Sequence, residues 1–384
     1  LRVAPMADRI GEFPEPSRNS HHTKMPQETA RSSRPVRIGR HLLGEGNPCY
    51  VIAEAGSNHD GSLKQAKALV WAAAEAGADA VKFQSFTAAG LLARELPDSG
   101  CGRSEHPAFA TLERLSLPEQ WHATLAEESK EHGIDFLSTP FEEGRVDLLE
   151  KLHPPAYKVA SGDLTHRTLL RKLARTGRTL ILSTGLATEQ EVADALAWVR
   201  KCGSSPVVLL HCVGLYPPPA ADLNLRAIPA MRSRFGIPCG FSDHTNGIWA
   251  SLGAVALGAV VLEKHFTLDR SLEGPDHAHS IEPATMKQLI QEIRCLEQGL
   301  GDGIKRPAPG EKPERFHARR GSYAARTLRR GESLRVEDLL FLRPANGMSP
   351  EQAVAAAGRR LVRELREMEP VTAQDLEPEG HVEQ

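Results

Sequence analysis

Eight short apolar runs alternate with longer amphipathic segments between residues 49 and 302, and this alternation constrains the fold more than any other feature of the sequence. Most of the runs are β-branched and continuously apolar, which is typical of strands buried on both faces of a parallel sheet. We predict strands at residues 50–55, 80–83, 135–137, 156–159, 179–182, 207–210, 238–241 and 260–262. The amphipathic segments predict helices at residues 63–76, 118–132, 143–152, 167–174, 189–201, 223–232, 248–257 and 284–299.

Eight strands that each precede a helix, within roughly 250 residues, match the count of a (β/α)8 TIM barrel. A doubly wound sheet is the alternative. It usually has fewer strands and a glycine-rich first turn, and no GxGxxG motif follows residues 50–55. The predicted fold class is therefore α/β, with a TIM barrel followed by a small β-rich domain.

Composition divides the chain into four segments. Residues 1–35 are rich in Pro, Ser, Arg and His without apolar periodicity, and we predict a disordered tail there. The barrel is predicted over residues 36–302, and a linker rich in Gly, Pro and Lys over residues 303–317. Residues 318–378 predict a small second domain, with strands at 321–325, 339–342 and 359–361. We identify no tandem repeat in the sequence beyond the barrel's own alternation.

Charge and composition narrow the function. The chain has 47 Lys and Arg against 49 Asp and Glu, and only 5 % aromatic residues, which argues against a general nucleic-acid or membrane-surface binder. Six scattered cysteines without a CxxC pair indicate reduced thiols. No apolar run reaches the roughly 20 residues that cross a bilayer, and no apolar segment resembles a secretory signal. We therefore expect a cytoplasmic protein without nucleic-acid or membrane partners.

Polar residues mark the carboxyl end of every predicted strand, where the active site of a TIM barrel lies. In chain order they are Glu54; Lys82 and Gln84; Ser138 and Thr139; Lys158, Ser161 and Asp163; Ser183 and Thr184; His211 and Tyr216; Ser242, Asp243 and His244; and Glu263, Lys264 and His265. Any one of them is compatible with an ordinary helix cap or a turn. Chance alignment of polar groups at all eight strand ends is not expected, so we predict a functional site there.

The strand-end residues suggest two kinds of chemistry. Lys82, Lys158 and the serine hydroxyls would neutralise and hydrogen-bond a phosphorylated, carboxylated substrate. His244 and His265 end adjacent strands, which lie about 5 Å apart, and this spacing suits one divalent ion with open coordination positions. The alternative for each lysine is an ion-paired residue of the barrel interior, and for each histidine a cap or core residue.

Two further groups remain open from the sequence. Cys212 follows His211, which suggests a Cys-His nucleophile, but a small buried hydrophobe is the simpler reading because consecutive strand residues face opposite sides. Asp276, His277 and His279 follow the last strand in a long loop, which is equally compatible with a lid over the site and with a solvated connection.

Short motifs of this chain match a known family. In the predicted barrel they are IAEAGSNH (52–59), VKFQ (81–84), YKVASGD (157–163), LSTG (182–185), GFSDHT (240–245) and EKHFT (263–267). In the C-terminal segment they are ARR (318–320), LRRGE (328–332) and LRPANGMSP (342–350). In this order they resemble the sialic acid (N-acetylneuraminate) synthase family and its C-terminal SAF, or antifreeze-like, domain. The resemblance spans roughly residues 36–378.

The resemblance implies a metal-dependent enzyme that condenses phosphoenolpyruvate with an N-acylated aldose, giving a nine-carbon 3-deoxy-2-keto sugar acid and phosphate. It implies that phosphoenolpyruvate is bound by Lys82, Gln84, Thr139, Lys158, Ser161, Ser183 and Ser242. It implies that His244 and His265 hold Mn²⁺ or Mg²⁺. The position of Arg343 implies a sugar-binding arginine that reaches the active site of the other subunit in a domain-swapped homodimer.

Carboxylates and Tyr216 complete the predicted site. The resemblance associates Glu54, Asp163 and Tyr216 with sugar binding and proton transfer. Glu263, at the end of the last strand, is a third catalytic candidate because a carboxylate there can move protons or stabilise positive charge.

One departure from the family bears on the acceptor sugar. The family often has His-Cys-Thr-Asn-x-Tyr-Pro after the sixth strand, whereas this chain has HCVGLYP (211–217), with Gly214 in place of the asparagine. N-acetylmannosamine is therefore the default acceptor, and an amino-dideoxy sugar leading to legionaminic or pseudaminic acid is the alternative. A non-catalytic relative that binds a glycan or a partner protein is the alternative from another functional class.

Overall fold

The computed structural model describes residues 35–97 and 103–378, which divide into two compact units at residue 300. The predicted disordered tail lies outside the described residues, except for Pro35. No helix within the described ranges is long and apolar enough to cross a membrane.

The first unit is built from strands β1–β12 and helices α1–α10. The strands are β1 Val36–Ile38, β2 His41–Leu43, β3 Tyr50–Gly56, β4 Ala80–Ser85, β5 Glu95–Pro97, β6 Arg103–Glu105, β7 Asp135–Pro140, β8 Ala156–Val159, β9 Thr179–Ser183, β10 Val207–Cys212, β11 Cys239–Asp243 and β12 Val261–His265. The helices are α1 Leu63–Glu75, α2 Ala88–Leu91, α3 Phe109–Leu115, α4 Glu119–Glu131, α5 Glu143–Glu150, α6 Arg167–Ala174, α7 Glu189–Cys202, α8 Ala227–Phe235, α9 Trp249–Ala256 and α10 Pro283–Leu300.

Eight of these strands form a parallel sheet in which chain neighbours are also neighbours in space. β3 pairs with β4 and, at the other side, with the last strand β12, and the order continues through β7 to β11. β7 and β8 lie side by side and close the ring. The predicted (β/α)8 barrel is therefore confirmed, since each of these strands is followed by a helix that covers its outer face.

The burial pattern follows from strand geometry. Every residue of β3 is buried; Tyr50 and Ile52 face the barrel interior, whereas Val51 and Ala53 pack against the surrounding helices. Such two-sided burial requires continuous apolar runs, which is why the runs were visible in the sequence. The hairpin β1–β2 packs against the apolar side chains inside the barrel, at the amino ends of the strands. The carboxyl ends of the strands are therefore the end of the barrel at which a site can form.

Strand ends were the main error of the prediction within the barrel. β7, β11 and β12 continue two or three residues beyond the last predicted position, through polar residues such as Thr139, Asp243 and His265. The prediction stopped each strand at its last apolar residue. In the barrel, however, the ladder continues through polar residues: β7 pairs with β4 as far as Pro140, and β12 pairs with β3 as far as His265. Helix α8 also begins at Ala227, later than predicted, because a 3₁₀ turn, Ala220–Asp222, precedes it.

The C-terminal unit is small and has its own core. It contains helix α11 Glu311–Ala318, strands β13 Gly321–Ala324 and β14 Leu339–Leu342, and helix α12 Pro350–Ala355. β13 and β14 are antiparallel, and the prediction of a strand at 359–361 is wrong because only single bridges form there. Helix α11 lies mostly within the segment predicted as a linker, and was missed because Gly, Pro and Lys dominate that segment.

An internal repeat organises the C-terminal unit, contrary to the reading of the sequence. In the first half, Arg326 pairs with Glu332 and Asp338 at 2.6 and 2.8 Å. In the second half, Arg363, Glu369 and Asp375 recur at the same spacing and form the same contacts, at 2.7 and 2.6 Å. Between these charges only Leu328 and Arg329 recur, as Leu365 and Arg366, and the other residues differ, so the repeat is weak in the sequence.

Backbone hydrogen bonds relate the two halves symmetrically. Leu328 and Leu365 exchange two N–H···O bonds, at 2.8 and 2.9 Å. The Gly331 N–H donates to the Leu361 carbonyl at 2.8 Å, and at the equivalent position the Met368 N–H donates to the Ala324 carbonyl at 2.9 Å. Gly331 and Met368 both have a positive φ, of 79° and 62°. The second half thus holds a methionine in a backbone conformation that favours glycine.

Candidate active site

Four buried charges meet at the carboxyl ends of the barrel strands. The Lys82 ammonium on β4 lies 2.5 Å from a carboxylate oxygen of Glu54 on β3 and 3.7 Å from Oε2 of Glu263 on β12. Lys158 on β8 approaches the other oxygen of Glu263 at 3.8 Å. Each of the four residues is at most 5 % exposed. Residues near the carboxyl ends of four barrel strands are thus joined into one cluster of two cations and two anions.

Neutral polar groups surround this cluster. Lys82 donates a hydrogen bond to Thr139 Oγ1 at 3.2 Å, and the Gln84 amide donates to Glu54 at 3.0 Å. The Ser242 hydroxyl donates to Glu263 Oε1 at 3.1 Å. The three neutral side chains come from three different strands, and they converge because alternate strand residues point into the barrel.

Burial and neighbouring charges shift the titration of the cluster. Burial would raise the pKa of Glu263, but Lys158 and Lys82 outweigh it and the pKa is lowered. Burial would lower the pKa of Lys82, whereas Glu263 and Glu54 raise it above its ordinary value. For Lys158, burial prevails and, together with the repulsion from Lys82, lowers the pKa in spite of Glu263. Lys158 is therefore the cation that is least well compensated by the protein itself.

Hydroxyls of the fourth and fifth barrel strands extend the site. Ser183 ends β9, and its hydroxyl is buried without a hydrogen-bond partner. Ser161 follows β8; its oxygen accepts the Gly185 N–H at 3.1 Å, and its hydroxyl points to Cys212 Sγ at 3.5 Å. A buried hydroxyl without a partner is costly unless a ligand supplies one. Ser183 is thus a candidate ligand contact on structural grounds alone.

His244 and His265 lie side by side beneath Tyr216. The two imidazole centroids are 5.5 Å apart, and the Tyr216 ring stacks on His244 at 4.0 Å. The Val213 carbonyl lies 2.8 Å from His244 Nδ1, and a carbonyl can only accept, so Nδ1 carries the proton and Nε2 keeps its lone pair. Burial and the neighbouring His265 lower the pKa of His244 to about 4, which keeps the ring neutral.

These histidines fit a divalent cation. His265 Nδ1 is buried without a hydrogen-bond partner. A neutral imidazole whose other nitrogen is held by a carbonyl is the usual form of a metal-binding histidine. In the described part of the chain, no group of three or more His, Cys, Asp or Glu residues is arranged to hold a metal. A cation at this site would therefore have two protein ligands and leave positions free for substrate or water.

Asp163 and Arg343 are the remaining predicted residues. Asp163 is half-buried in the 3₁₀ turn Ser161–Asp163, and burial raises its pKa although His166 and Lys158 oppose this. Arg343 belongs to the C-terminal unit, directly after β14, and its side chain is exposed.

The sequence did not assign Asp276 to the site. Its carboxylate, the Gln84 amide and the Glu54 carboxylate surround Gly56, and a β-carbon on Gly56 would lie 3.1 to 3.3 Å from all three. Gly56 also has a φ of 52°, so both its backbone and its surroundings require glycine. No strand end marks the acidic loop residue in the sequence; the available signal was a glycine two residues after Glu54.

The side-chain contacts of His211, Cys212 and His277 bear on the alternatives that the sequence left open. His211 Nε2 contacts the Leu223 carbonyl at 2.7 Å outside the barrel, whereas Cys212 faces the interior, 3.9 Å from His244 Nδ1. The two do not form a nucleophile pair, and burial raises the pKa of the Cys212 thiol. His277 is fully buried and lies 3.0 Å from Asp60, so the loop is not solvated at this residue.

Comparisons with known proteins identify relatives of both units. The model of the NeuB family matches residues 69–305, and that of the SAF domain matches residues 319–377. An N,N'-diacetyllegionaminic acid synthase of Legionella pneumophila is 42 % identical over 78 % of this chain and 86 % of its own length. The spore coat polysaccharide biosynthesis protein SpsE of Bacillus subtilis is 36 % identical over 80 % of this chain and 87 % of its own.

A solved structure is similar over most of both chains. The crystal structure of an N-acetylneuraminic acid (sialic acid) synthetase from Leptospira borgpetersenii superposes with a TM-score of 0.67, at 35 % identity. The match covers 74 % of this chain and 96 % of that one.

Proposed function

The chain belongs to the NeuB family and its C-terminal unit is a SAF domain, and from this premise we propose that it condenses phosphoenolpyruvate with an N-acylated aldose. The products are a nine-carbon 3-deoxy-2-keto sugar acid and phosphate. The chain is an enzyme of the sialic, legionaminic and pseudaminic acid synthase group, whose members are its named relatives. The observation that carries the proposal is the buried cluster of Lys82, Lys158, Glu54 and Glu263 beside two neutral imidazoles.

Phosphoenolpyruvate fits this cluster because it carries two anionic groups. Lys82 and Lys158 contact Glu263 only at 3.7 and 3.8 Å, so neither ammonium group has to break a short ion pair with Glu263 to bind a substrate anion. The short ion pair of Lys82, at 2.5 Å, is with Glu54. The unpartnered Ser183 hydroxyl offers a further hydrogen bond. Charge-assisted hydrogen bonds of this kind are shorter and stronger than neutral ones.

The carboxylates act on the charges that develop during the reaction. The enol carbon of phosphoenolpyruvate attacks the aldehyde carbon of the open-chain sugar, and positive charge develops at the adjacent carbon. Glu263 and Glu54, both buried, stabilise this charge. Water then adds at that carbon; one of its protons passes by way of Glu54 to the alkoxide that the aldehyde oxygen has become, and the other goes to the departing phosphate. The carbon–oxygen bond to the phosphate breaks, which leaves the keto group and free phosphate.

We propose that His244 and His265 hold a divalent cation, Mn²⁺ or Mg²⁺. When bound, such a cation polarises the aldehyde and orients it towards the enol. The protonated Nδ1 of His244 and the unpartnered Nδ1 of His265 support this assignment. Tyr216 stacks on His244 and shields one side of the ring from water.

Of the two acceptor classes that the sequence leaves open, we favour an amino-dideoxy sugar over N-acetylmannosamine. The rim beside Tyr216 is apolar, because Leu215 is exposed and the Leu186 side chain lies 3.0 Å from the place of a β-carbon on Gly214. A sugar with a methyl group in place of a hydroxyl loses less hydration at such a rim. Two named legionaminic acid synthases at 42 and 40 % identity support the same choice.

The test is phosphate release from phosphoenolpyruvate with Mn²⁺ and a panel of N-acylated aldoses, with the mass of each product. Release only with a diamino-dideoxy sugar supports the favoured acceptor, and release with N-acetylmannosamine alone supports the default one. Absence of release with every sugar, although Mn²⁺ binds, would contradict the proposed reaction.

We also propose a homodimer in which Arg343 serves the other subunit's site, because this arginine is exposed and matches the family's SAF-domain arginine. Light scattering should give a dimer, and Arg343→Ala should lower turnover. A fully active monomer would contradict this arrangement.

A further inference from the structure

An ion pair without contact to solvent lies directly behind the two histidines. Asp243 ends β11 and Lys264 lies opposite it on β12, and the Nζ and Oδ2 atoms are 2.9 Å apart. Asp243 is 0 % and Lys264 1 % exposed. Both side chains point away from the barrel interior, since their neighbours Ser242 and Glu263 point into it.

The pair holds the backbone that carries His244. Asp243 Oδ1 accepts the Thr245 N–H at 2.8 Å, and Lys264 Nζ donates to the Thr245 carbonyl at 2.6 Å. Both polar backbone groups of Thr245 are thus bound by the two members of the pair. Ser251, at the start of α9, donates its hydroxyl to Asp243 Oδ2 at 2.5 Å and fixes the carboxylate from the helix side.

A buried ion pair of this kind contributes less to the stability of a core than apolar side chains of similar size often do. Two buried charges cost more in lost hydration than an apolar pair of similar size, and the replacement of such a pair by apolar residues often stabilises a protein. Stability alone therefore does not explain Asp243 and Lys264. Their position does suggest a role, because each directly precedes one imidazole: His244 follows Asp243, and His265 follows Lys264.

We infer that the Asp243–Lys264 pair is a positioning device that sets the relative placement of His244 and His265, and thereby the affinity of the site for a divalent cation. The inference rests on the proposed function, in which these histidines are the ligands. His244 has a second anchor in the Val213 carbonyl. His265 has no hydrogen bond at Nδ1, so its placement depends on the strand that Lys264 ties to its neighbour.

The test is Mn²⁺ binding without substrates, measured as free Mn²⁺ by electron paramagnetic resonance. For Lys264→Met we expect the Kd to rise about 10- to 100-fold, as for other residues that orient metal ligands. The turnover of Lys264→Met, relative to that of the wild type, should be higher at saturating Mn²⁺ than at limiting Mn²⁺. Ser251→Ala, which keeps both charges and removes one hydrogen bond, should raise the Kd by a smaller factor and serves if Lys264→Met fails to fold.

Two controls separate the possible results. Leu196→Ala opens a cavity in the hydrophobic core beneath α7. It should lower the melting temperature without changing the Kd for Mn²⁺. His244→Ala should abolish Mn²⁺ binding. If His244→Ala leaves binding unchanged, the proposed metal site itself is wrong. If His244→Ala abolishes binding while Lys264→Met and Ser251→Ala keep the wild-type Kd, the positioning role is wrong and the proposed function stands.

Discussion

The barrel and the C-terminal unit both hold one cation between two carboxylates, in very different surroundings. In the barrel, Lys82 lies between Glu54 and Glu263 and its side chain is 3 % exposed. In the C-terminal unit, Arg326 lies between Glu332 and Asp338 with half of its side chain exposed. Water screens the second arrangement, and such exposed ion pairs contribute little to stability.

The carboxylates also have different partners in the two units. In the C-terminal unit they bind backbone: Glu332 accepts the Arg329 N–H at 2.9 Å, and Asp338 the Arg335 N–H at 3.3 Å. These carboxylates stabilise turns of the backbone. In the barrel, Glu263 keeps an oxygen without a hydrogen bond, and the buried Ser183 hydroxyl has no partner either. The comparison teaches that burial and unused bonding capacity, rather than the charge pattern, distinguish a reactive cluster from a structural one.

Removal of the cation should affect different properties in the two units: turnover in the barrel and thermal stability in the C-terminal unit. For Lys82→Met we expect turnover to fall at least about 100-fold, because the substrate's negative charge loses a buried donor. Arg326→Gln is the matched control and should leave kcat/KM within about twofold, with a small loss of thermal stability. The measurement is phosphate release alongside thermal unfolding. Equal losses of activity in both variants would remove the distinction drawn between the clusters.

The unpartnered hydroxyl sharpens the comparison within the barrel. Ser183→Ala should raise the KM for phosphoenolpyruvate about tenfold, near 1.4 kcal/mol, and leave the melting temperature unchanged, since the hydroxyl has no partner in the protein. Thr188→Ala, at the N-cap of α7, should do the reverse and cost about 1 kcal/mol of stability without a change in KM. Steady-state kinetics with chemical unfolding separates the two. A stability loss in Ser183→Ala would assign that hydroxyl a structural role.

The smallest effect concerns the two halves of the C-terminal unit. Met368→Gly should stabilise the protein by up to about 1 kcal/mol, because a methionine at a φ of 62° is strained where its counterpart Gly331 is not. Gly331→Ala should destabilise it. Chemical unfolding of both variants checks this. A lower stability for Met368→Gly would mean that side-chain packing of the methionine outweighs its backbone strain.

The barrel was predictable because its strands are buried on both faces and therefore leave continuous apolar runs. The ends of the strands were not predictable in this way, because the apolar run stops before the strand does. β12 continues through Glu263, Lys264 and His265, which no apolar pattern marks. The cluster itself followed from one rule, that polar residues at the ends of parallel strands converge.

Other features lay beyond the sequence pattern. Asp276 enters the site from a loop, whose path depends on tertiary contacts such as that between His277 and Asp60. The pairing of Asp243 with Lys264 needed the strand register, which positions the two side by side. The C-terminal repeat rests on a few charged residues and leucines at equal spacing and on backbone hydrogen bonds, while most residues between them differ, so its sequence signal is weak.

The central claim is that the barrel cluster binds phosphoenolpyruvate through its cations and performs chemistry through its carboxylates. The most direct measurement is the binding of phosphoenolpyruvate to Glu263→Gln by calorimetry, together with phosphate release. Because the substitution removes a negative charge next to Lys82 and Lys158, binding should be at least as tight as in the wild type, while turnover falls at least about 100-fold. Loss of binding together with turnover, or turnover close to that of the wild type, would contradict the account.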